Sequence, residues 1–383
     1  MKRRLVILTE IISPYRIPLF NALARDLTVD LHVIFLAETD PELRQWHVDK
    51  AQIAFSYQVL ASWRKRIGPY NLLLNRGLAP ALAAAAPHAI ICGGYNYIAS
   101  WQALLWARMH TVPFLLWSES NQQDLRRGHA LVEVLKAEFL QRCSGFLVPG
   151  VSARDYLRAH KIKSEMIFIA PNAVDNDLFA AAAGAARQNA TQIRKHLNLP
   201  ERYFLFVGRL VPAKGVFDLL SAYAKLNAPV RQRVGLVFVG DGVARQALEV
   251  QASAISPGMI RFCGFAQQEQ LATYYALAEM LILPTYTDTW GLVVNEAMAC
   301  GLPVILSRVA GCGPDLISAN GDGLLMDPGD VDRLAATMQQ FILQPELGVA
   351  VGARNVEHIS RYSPVHWSAG IVQALDRLRG VRG

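Results

Sequence analysis

The sequence is poor in cysteine, and its five cysteines are scattered without a CxxC pair. It contains no DxD or HExxH motif and no His/Cys cluster at metal-ligand spacing, so no metal site is predicted. No GxGxxG follows the first apolar segment, which argues against a dinucleotide oxidoreductase. The scattered cysteines are typical of reduced, mostly buried thiols, and we therefore expect a cytoplasmic protein.

Long apolar runs are also lacking, and no stretch approaches the length needed to cross a bilayer. The most apolar candidate, residues 78–92, is interrupted by Pro80, Pro87 and His88. The basic and then apolar N-terminal segment ends at Glu10, which predicts a first strand rather than a signal peptide. With 383 residues, 52% of them hydrophobic, the chain is expected to form two domains.

The excess positive charge lies entirely in the first half of the chain. Residues 1–170 contain 20 Lys/Arg and 13 Asp/Glu, whereas the remainder contains 18 of each. Residues 63–76 concentrate the excess, with cations interleaved with Trp63, Tyr70 and three leucines. This composition suits an anionic membrane surface, although a solvated charge run beside a core helix is an alternative. Nothing resembles a nucleic-acid-binding motif, so nucleic acid is not an expected partner.

Apolar runs alternate with helical patterns in both halves. This alternation predicts an α/β fold in which each half forms a doubly wound parallel sheet. The strands predicted for the first half are 4–9, 31–36, 55–60, 89–92, 114–117, 145–148 and 166–169. Those predicted for the second half are 204–207, 236–239, 260–263, 280–283, 304–306 and 324–326. Residues 180–186 are expected to be a loose linker or a short helix.

Two acids, Asp288 and Glu296, bracket the start of a predicted helix that follows the strand 280–283. Between them lie Thr289, Trp290, Gly291, Leu292 and Val293. Free backbone amides from Gly291 onward would face phosphates, and the carboxylates would accept hydrogen bonds from sugar hydroxyls. The alternative is an Asp that caps the helix and a Glu that faces solvent.

A second group follows the strand 204–207, where Gly208-Arg209 and Lys214-Gly215 flank a strand-to-helix loop. Two cations five residues apart can converge on one anion. Because ligands bind at the carboxyl ends of strands in open α/β sheets, we expect this loop to lie beside the acid pair. A diphosphate leaving group needs such fixed positive donors. Taken alone, a basic loop of this kind could also be a solvated turn.

These two motifs together resemble those of the retaining, nucleotide-sugar-dependent glycosyltransferases of family 4, which have the GT-B fold. The resemblance implies two Rossmann-like domains facing a central cleft, with Arg209 and Lys214 clamping the donor diphosphate. It also implies that Asp288, where the family usually has Glu, holds the transferred sugar and that Glu296 holds the ribose. Retention of anomeric configuration is implied in the same way.

The resemblance also implies the domain organisation. The string Pro171-Asn172-Ala173-Val174-Asp175 is similar to the family's interdomain hinge, with Ala173 where Gly is commoner. The last helix of GT-B proteins returns to the first domain. We therefore expect an acceptor domain of residues 1–172 and 363–383, and a donor domain of residues 173–362.

Several further residues are expected near the substrates. Gly240-Asp241-Gly242 resembles a family turn near the nucleotide, although an ordinary tight turn is the favoured interpretation. Phe265 lies where the base pocket is expected, with core packing as the alternative, and Gly313 belongs to a glycine-rich loop near the sugar. On the acceptor side, Tyr15 and Arg16 replace a glycine pair, and Glu119 stands near the family's usual His. Glu119 could act in catalysis or cap the next helix.

The sequence therefore predicts a metal-independent glycosyltransferase that uses a nucleotide diphosphate sugar, most commonly UDP-linked, as co-substrate and needs no cofactor. The expected acceptor is a glycan or lipid-linked sugar, used in polysaccharide, glycolipid or cell-surface glycan assembly at the inner membrane face. Two other functions are compatible with the residues. One is a catalytically silent nucleotide-sugar-binding subunit, and the other is a GT-B sugar epimerase.

Overall fold

The computed structural model describes residues 2–40, 46–68, 70–122, 130–317 and 324–380. The chain divides into two compact units. Unit 1 comprises Met1–Asn172 with Pro364–Gly383, and unit 2 comprises Ala173–Ser363. Within the described residues no helix is long and apolar enough to cross a membrane.

Unit 1 is built on a seven-stranded parallel sheet. Its strands Ala89–Cys92, Phe114–Trp117 and Gly145–Val148 are buried at every position, which is why they appear in the sequence as continuous apolar runs. The strands of residues 1–172 are β1 Arg3–Thr9, β2 Val29–Phe35, β3 Ser56–Val59, β4 Ala61–Ile67, β5 Tyr70–Arg76, β6 Ala89–Cys92, β7 Phe114–Trp117, β8 Gly145–Val148 and β9 Ile167–Ile169. The helices are α1 Ile17–Ala24, α2 Leu78–Ala85, α3 Ile98–Met109, α4 Ala130–Gln141 and α5 Val151–Ala159.

Unit 2 repeats this architecture with a six-stranded parallel sheet. Its strands are β10 Tyr203–Val207, β11 Gly235–Val239, β12 Ile260–Phe262, β13 Met280–Leu283, β14 Val304–Ser307 and β15 Leu325–Met326. Its helices are α6 Asn176–Gln188, α7 Ala190–His196, α8 Val216–Lys225, α9 Ala228–Arg231, α10 Arg245–Ile255, α11 Gln268–Leu277, α12 Leu292–Ala299, α13 Gly313–Leu316, α14 Val331–Leu343 and α15 Pro345–Ile359.

The strand orders confirm the predicted doubly wound α/β class. The order is β3-β2-β1-β6-β7-β8-β9 in unit 1 and β12-β11-β10-β13-β14-β15 in unit 2. The direction of winding reverses between β1 and β6 and between β10 and β13. Because helices leave these neighbouring strands toward opposite faces of the sheet, a crevice opens at each switch point, where such folds bind ligands.

The last helix, α16 Pro364–Gly380, packs within unit 1. Its Trp367 is fully buried, and the centre of its ring lies 5.3 Å from the ring centre of Trp117 and 5.7 Å from that of Phe20. A Cβ on Gly370 would lie 2.2 Å from the carbonyl oxygen of Ile169. The helix backbone therefore needs glycine at this point in order to approach β9 so closely.

Two local expectations are corrected or resolved. Residues 63–76 lie in an antiparallel hairpin of β4 and β5, which the sequence did not predict, and β5 lies beside helix α3; Pro69 is outside the described residues. Paired strands bury one face of the segment and expose the other, which a charge count cannot reveal. Residues 180–186 lie inside α6, where Asp175 caps the helix by accepting a hydrogen bond from the amide of Leu178.

Candidate functional site

The switch point of unit 2 brings together the loop after β10 and the loop after β13. Gly215 adopts a left-handed conformation with φ of 67°, and a Cβ on it would lie 2.0 Å from the carbonyl oxygen of Pro284. The amide of Tyr286 donates to the carbonyl of Ala213 over 2.9 Å. Glycine at position 215 thus permits the close approach of two loops that are distant in the sequence.

Lys214 and Asp288 meet directly across these two loops. Nζ of Lys214 lies 2.6 Å from Oδ2 of Asp288 and 3.2 Å from the carbonyl oxygen of Thr287. The two side chains are only 17% and 18% exposed, respectively. The predicted phosphate-binding cation and the predicted sugar-binding acid therefore form a largely shielded ion pair at the carboxyl end of the sheet.

Arg209 lies at the same edge of the sheet but, unlike Lys214, is exposed to solvent. Its guanidinium pairs with no acid among the described residues. The amide of Leu210 donates to the carbonyl of Asp241 over 2.9 Å, and a Cβ on Gly240 would lie 2.0 Å from the carbonyl oxygen of Gly208. The Gly240-Asp241-Gly242 turn thus supports the backbone that carries Arg209, in keeping with its interpretation as a structural turn.

The loop between Asp288 and α12 is tied to the loop after β14. The amide of Gly311 donates to the carbonyl of Asp288 over 3.1 Å, and that of Cys312 donates to the carbonyl of Trp290 over 3.2 Å. Oδ1 of Asp288 accepts from the amide of Trp290 over 3.3 Å. These contacts bring Gly313, at the start of α13, to the same edge of the sheet as Asp288.

The residues at the start of α12 differ in accessibility. Trp290 is 2% exposed, and its Nε1 donates to Oδ1 of Asn295 over 2.8 Å, so its ring is part of the core. Gly291 is buried with φ of 99°. Thr289 is exposed, and Leu292 and Val293 are half-buried. Phe265, after β12, is 44% exposed, and the carbonyl of its neighbour Gly264 accepts from the amide of Gly240 over 2.7 Å.

Glu296 is not exposed beside Lys214 and Asp288. Its side chain is fully buried, and Oε2 accepts a hydrogen bond of 2.6 Å from the hydroxyl of Tyr275 on α11. Oε1 is buried and has no hydrogen-bond partner within the described part of the chain. This burial raises the pKa of Glu296 to about 7, because an ionised carboxylate is poorly solvated there. The predicted contact of Glu296 with a ribose stays a prediction.

Tyr275 and Thr285 were not identified from the sequence. The buried Thr285 accepts from the amide of Thr287 and donates from Oγ1 to the carbonyls of Thr287 and Ala213. These bonds hold the loop that carries Asp288 against the loop that carries Lys214. Neither residue lies in a recognisable motif, so no sequence signal marks them.

In unit 1, the predicted acceptor-side residues gather around Arg16. Its guanidinium forms an ion pair with Glu119, donates to Oδ1 of Asn172 over 3.0 Å and lies 4.2 Å from the ring centre of Trp117. Tyr15 packs edge-to-face against Trp46 at 5.8 Å. The negative charge of Glu119 is thus neutralised by Arg16, which follows β1 and lies at the carboxyl edge of the unit 1 sheet. Arg16 is 20% exposed and Glu119 30%, so both stay accessible to a polar ligand.

Among the described residues, no group of three or more His, Cys, Asp or Glu side chains is placed to hold a metal ion. The site chemistry of unit 2 instead consists of two cations, one carboxylate and the amides at the start of α12. Such a set can hold a diphosphate and accept hydrogen bonds from the hydroxyl groups of a sugar.

Comparison with known proteins gives a family match for part of the chain. Residues 188–356 match the family model described as glycosyl transferases group 1. A D-inositol 3-phosphate glycosyltransferase of Corynebacterium jeikeium is 30% identical over 234 residues, which cover 59% of this chain and 54% of that protein. The O-antigen chain mannosyltransferase B of Escherichia coli is 32% identical over 167 residues, 42% of each chain. The chain thus spans about half the length of these curated relatives.

The fold is shared over nearly the whole chain. The crystal structure of Anabaena HepE in complex with UDP and glucose matches with a TM-score of 0.74 at 17% identity, covering 98% of this chain and 99% of that one. At this level of identity the likeness concerns the fold, and it confirms the GT-B architecture of two Rossmann-like domains.

Proposed function

Because residues 188–356 match the family model described as glycosyl transferases group 1, we propose that this chain moves a sugar from a nucleoside diphosphate sugar to a hydroxyl group of an acceptor. The carrier in this proposal is UDP, and the anomeric configuration is retained. The acceptor is a glycan or a lipid-linked sugar used in polysaccharide, glycolipid or cell-surface glycan assembly. The observation that carries the proposal is the meeting of Lys214 and Asp288 at the switch point of unit 2.

In the proposed donor complex, the diphosphate is held by Arg209, Lys214 and the amides at the start of α12, with Gly208 allowing close approach. Asp288 accepts hydrogen bonds from the transferred sugar, and Gly313 lies beside it. Glu296 is assigned to the ribose, and Thr289 and Phe265 line the nucleotide. On binding, the diphosphate replaces Asp288 as the partner of Lys214, because its negative charge is the larger of the two. This exchange frees Oδ2 of Asp288 for a sugar hydroxyl.

The proposed reaction begins with cleavage of the bond between the anomeric carbon and the diphosphate oxygen. The bonding electron pair stays on that oxygen, where Lys214 and Arg209 neutralise the charge, and each well-placed donor stabilises the transition state by about 3 kcal/mol. The acceptor hydroxyl attacks the cationic sugar on the same face, and a phosphate oxygen of the leaving group takes its proton. Glu119 stabilises the positive sugar, and Tyr15 and Arg16 position the acceptor.

The proposal includes no metal ion or cofactor, since the two cations supply the positive charge that the leaving group requires. We place the protein in the cytoplasm at the inner face of the membrane. All five cysteines are free thiols, four of them buried, which suits a reducing compartment.

The first experiment is a thermal-shift panel of nucleoside diphosphate sugars, because a bound donor raises the unfolding temperature by mass action. It is followed by a product assay with the stabilising donor, without and with acceptor glycans. Release of sugar to water or to acceptor supports the proposal, and the anomeric form of the product tests retention. A donor that binds but is never consumed would indicate a silent binding subunit, and an epimerised donor would indicate an epimerase.

A further inference from the structure

The hairpin of β4 and β5 has two chemically different faces. Residues directly opposite each other on paired strands share a face, and here Trp63 lies opposite Leu74, Lys65 opposite Leu72, and Ala61 opposite Arg76. Trp63 is 53% exposed and Leu74 40% exposed, and Lys65 and Arg76 are also exposed. This outer face therefore presents large apolar side chains together with cations.

The inner face anchors the hairpin to unit 1. Nη1 of Arg64 lies 2.9 Å from Oε1 of Glu10 and 2.7 Å from Oδ2 of the buried Asp40. Leu73 is 1% exposed, and Asn75 donates to the carbonyl of Leu36 over 2.5 Å. The hairpin is thus held by charged and apolar contacts, and the exposure of its outer face does not come from a loose segment.

Helix α3 adds a second apolar surface beside the hairpin. Ile98, Leu105 and Met109 are 47%, 58% and 73% exposed, and their spacing places them on one face of the helix. Contacts between α3 and β5 make the two elements neighbours. A cavity of about 300 Å³ is lined by Asn75 from the hairpin and by Gln102 and Trp106 from α3. Arg108 flanks the apolar stripe and is exposed.

The charge of unit 1 favours a negatively charged partner. The sequence of unit 1 contains 23 Lys/Arg and 14 Asp/Glu, a net charge of +9, whereas unit 2 contains 15 and 17, a net charge of −2. Exposed apolar and aromatic side chains bordered by cations, on the basic half of a protein, are the combination that binds an anionic lipid interface. There the apolar groups enter the boundary of the acyl chains while the cations meet the headgroups.

We propose that the outer face of the hairpin and the exposed stripe of α3 together form a docking surface for an anionic lipid bilayer. This docking surface consists of Trp63, Lys65, Leu74, Arg76, Leu105 and Met109. The inference rests on the proposed function only in linking the surface to a lipid-linked acceptor. Docking would hold unit 1 at the membrane, where such an acceptor is found.

Vesicle sedimentation of the full chain, without any nucleotide sugar, tests the docking surface. The wild-type chain should bind vesicles of phosphatidylcholine containing about 30% phosphatidylglycerol far better than pure phosphatidylcholine, and salt should weaken binding. Trp63→Ser with Leu105→Ser should lower the partition coefficient by at least about tenfold. Lys65→Gln and Arg76→Gln should each lower it about fivefold.

The matched control is Val243→Ser with Val349→Ser, which removes two apolar side chains of unit 2 that are 88% and 76% exposed. This control should bind vesicles as the wild type does, and all variants should keep the wild-type unfolding temperature. Equal vesicle binding by the wild type and by Trp63→Ser with Leu105→Ser would overturn the inference. So would a wild-type dimer that binds no vesicles and that these two substitutions convert to a monomer, because the surface would then bind a second copy.

Donor hydrolysis in solution separates this inference from the proposed function. Trp63→Ser with Leu105→Ser should hydrolyse the donor at the wild-type rate while losing vesicle binding. If the chain binds vesicles through these residues but consumes no donor, the docking surface is supported and the proposed enzyme activity is contradicted.

Discussion

Lys214 and Asp288, 74 residues apart in the sequence, are joined by a 2.6 Å contact between Nζ and Oδ2. Each side chain is more than four-fifths shielded from solvent. In the ligand-free chain each group therefore neutralises the other, and in the proposed donor complex a diphosphate would compete with Asp288 for Lys214. This competition leads to the first two predictions.

Replacing Lys214 with Ala should lower sugar transfer by about 100-fold or more, because the charge that develops on the leaving diphosphate loses a fixed donor. Steady-state kinetics with the donor found in the thermal-shift panel measures this effect. Lys225→Ala is the matched control, since Lys225 also pairs with an acid, Asp332, but on the exposed surface of unit 2. Near-full activity of the folded Lys214→Ala variant would refute the diphosphate clamp.

Replacing Asp288 with Asn should separate nucleotide binding from transfer. UDP should bind about two- to fivefold more tightly, because Lys214 no longer has a competing carboxylate and the diphosphate meets one negative charge fewer. Transfer should fall, since the sugar loses its charged acceptor. Calorimetric titration with UDP and a transfer assay give the two quantities. Asp332→Asn should change neither, and clearly weaker UDP binding by Asp288→Asn would contradict the competition.

Glu296 should make the stability of unit 2 depend on pH. Burial raises its pKa to about 7 from an ordinary value of 4.5, so the folded chain retains a proton that the unfolded chain releases. The stability contributed by this group is fully present below pH 4.5 and is lost as the pH rises through about 7. Between pH 5 and 8, the free energy of unfolding of the wild type should fall by between about 2 and 3 kcal/mol relative to that of Glu296→Gln.

Denaturant unfolding of wild type and Glu296→Gln at the two pH values measures this difference. Tyr275→Phe provides a second variant, because the Tyr275 hydroxyl donates the hydrogen bond that counteracts the rise in the pKa of Glu296. As the pH rises, the loss of stability of Tyr275→Phe should therefore continue to a higher pH than that of the wild type. A stability difference between wild type and Glu296→Gln that does not change with pH would show that Glu296 is ionised in the folded chain.

Replacing Glu119 with Gln should lower kcat about tenfold or more while leaving the donor KM unchanged, because the donor is assigned to unit 2 and Glu119 is assigned to the developing positive sugar. Glu133→Gln, on the surface of α4, is the control. If kcat of Glu119→Gln equals that of the wild type, the carboxylate serves only to hold Arg16 against Trp117.

The positions of the strands of the two parallel sheets, and of the loops at their carboxyl ends, could be predicted from the sequence alone, whereas the hairpin strands β4 and β5 were not predicted. Strands such as β7 and β13 are buried on both faces, so each appears as an uninterrupted apolar run bounded by turn residues. Gly208, Gly215 and Gly291 likewise mark turns, because their positive φ angles disfavour other residues. These signals depend only on residues that are neighbours along the chain, so they are visible in the sequence without the tertiary structure.

Which side chains meet was decided by the tertiary structure. Lys214 reaches Asp288 because β10 and β13 are neighbours in the sheet, and Arg16 reaches Glu119 across 103 residues. The burial of Glu296 against Tyr275 depends on how α11 packs on α12, and the two faces of the 61–76 hairpin depend on strand pairing. Contacts of this kind follow from strand order and packing, which no periodicity within a single segment encodes.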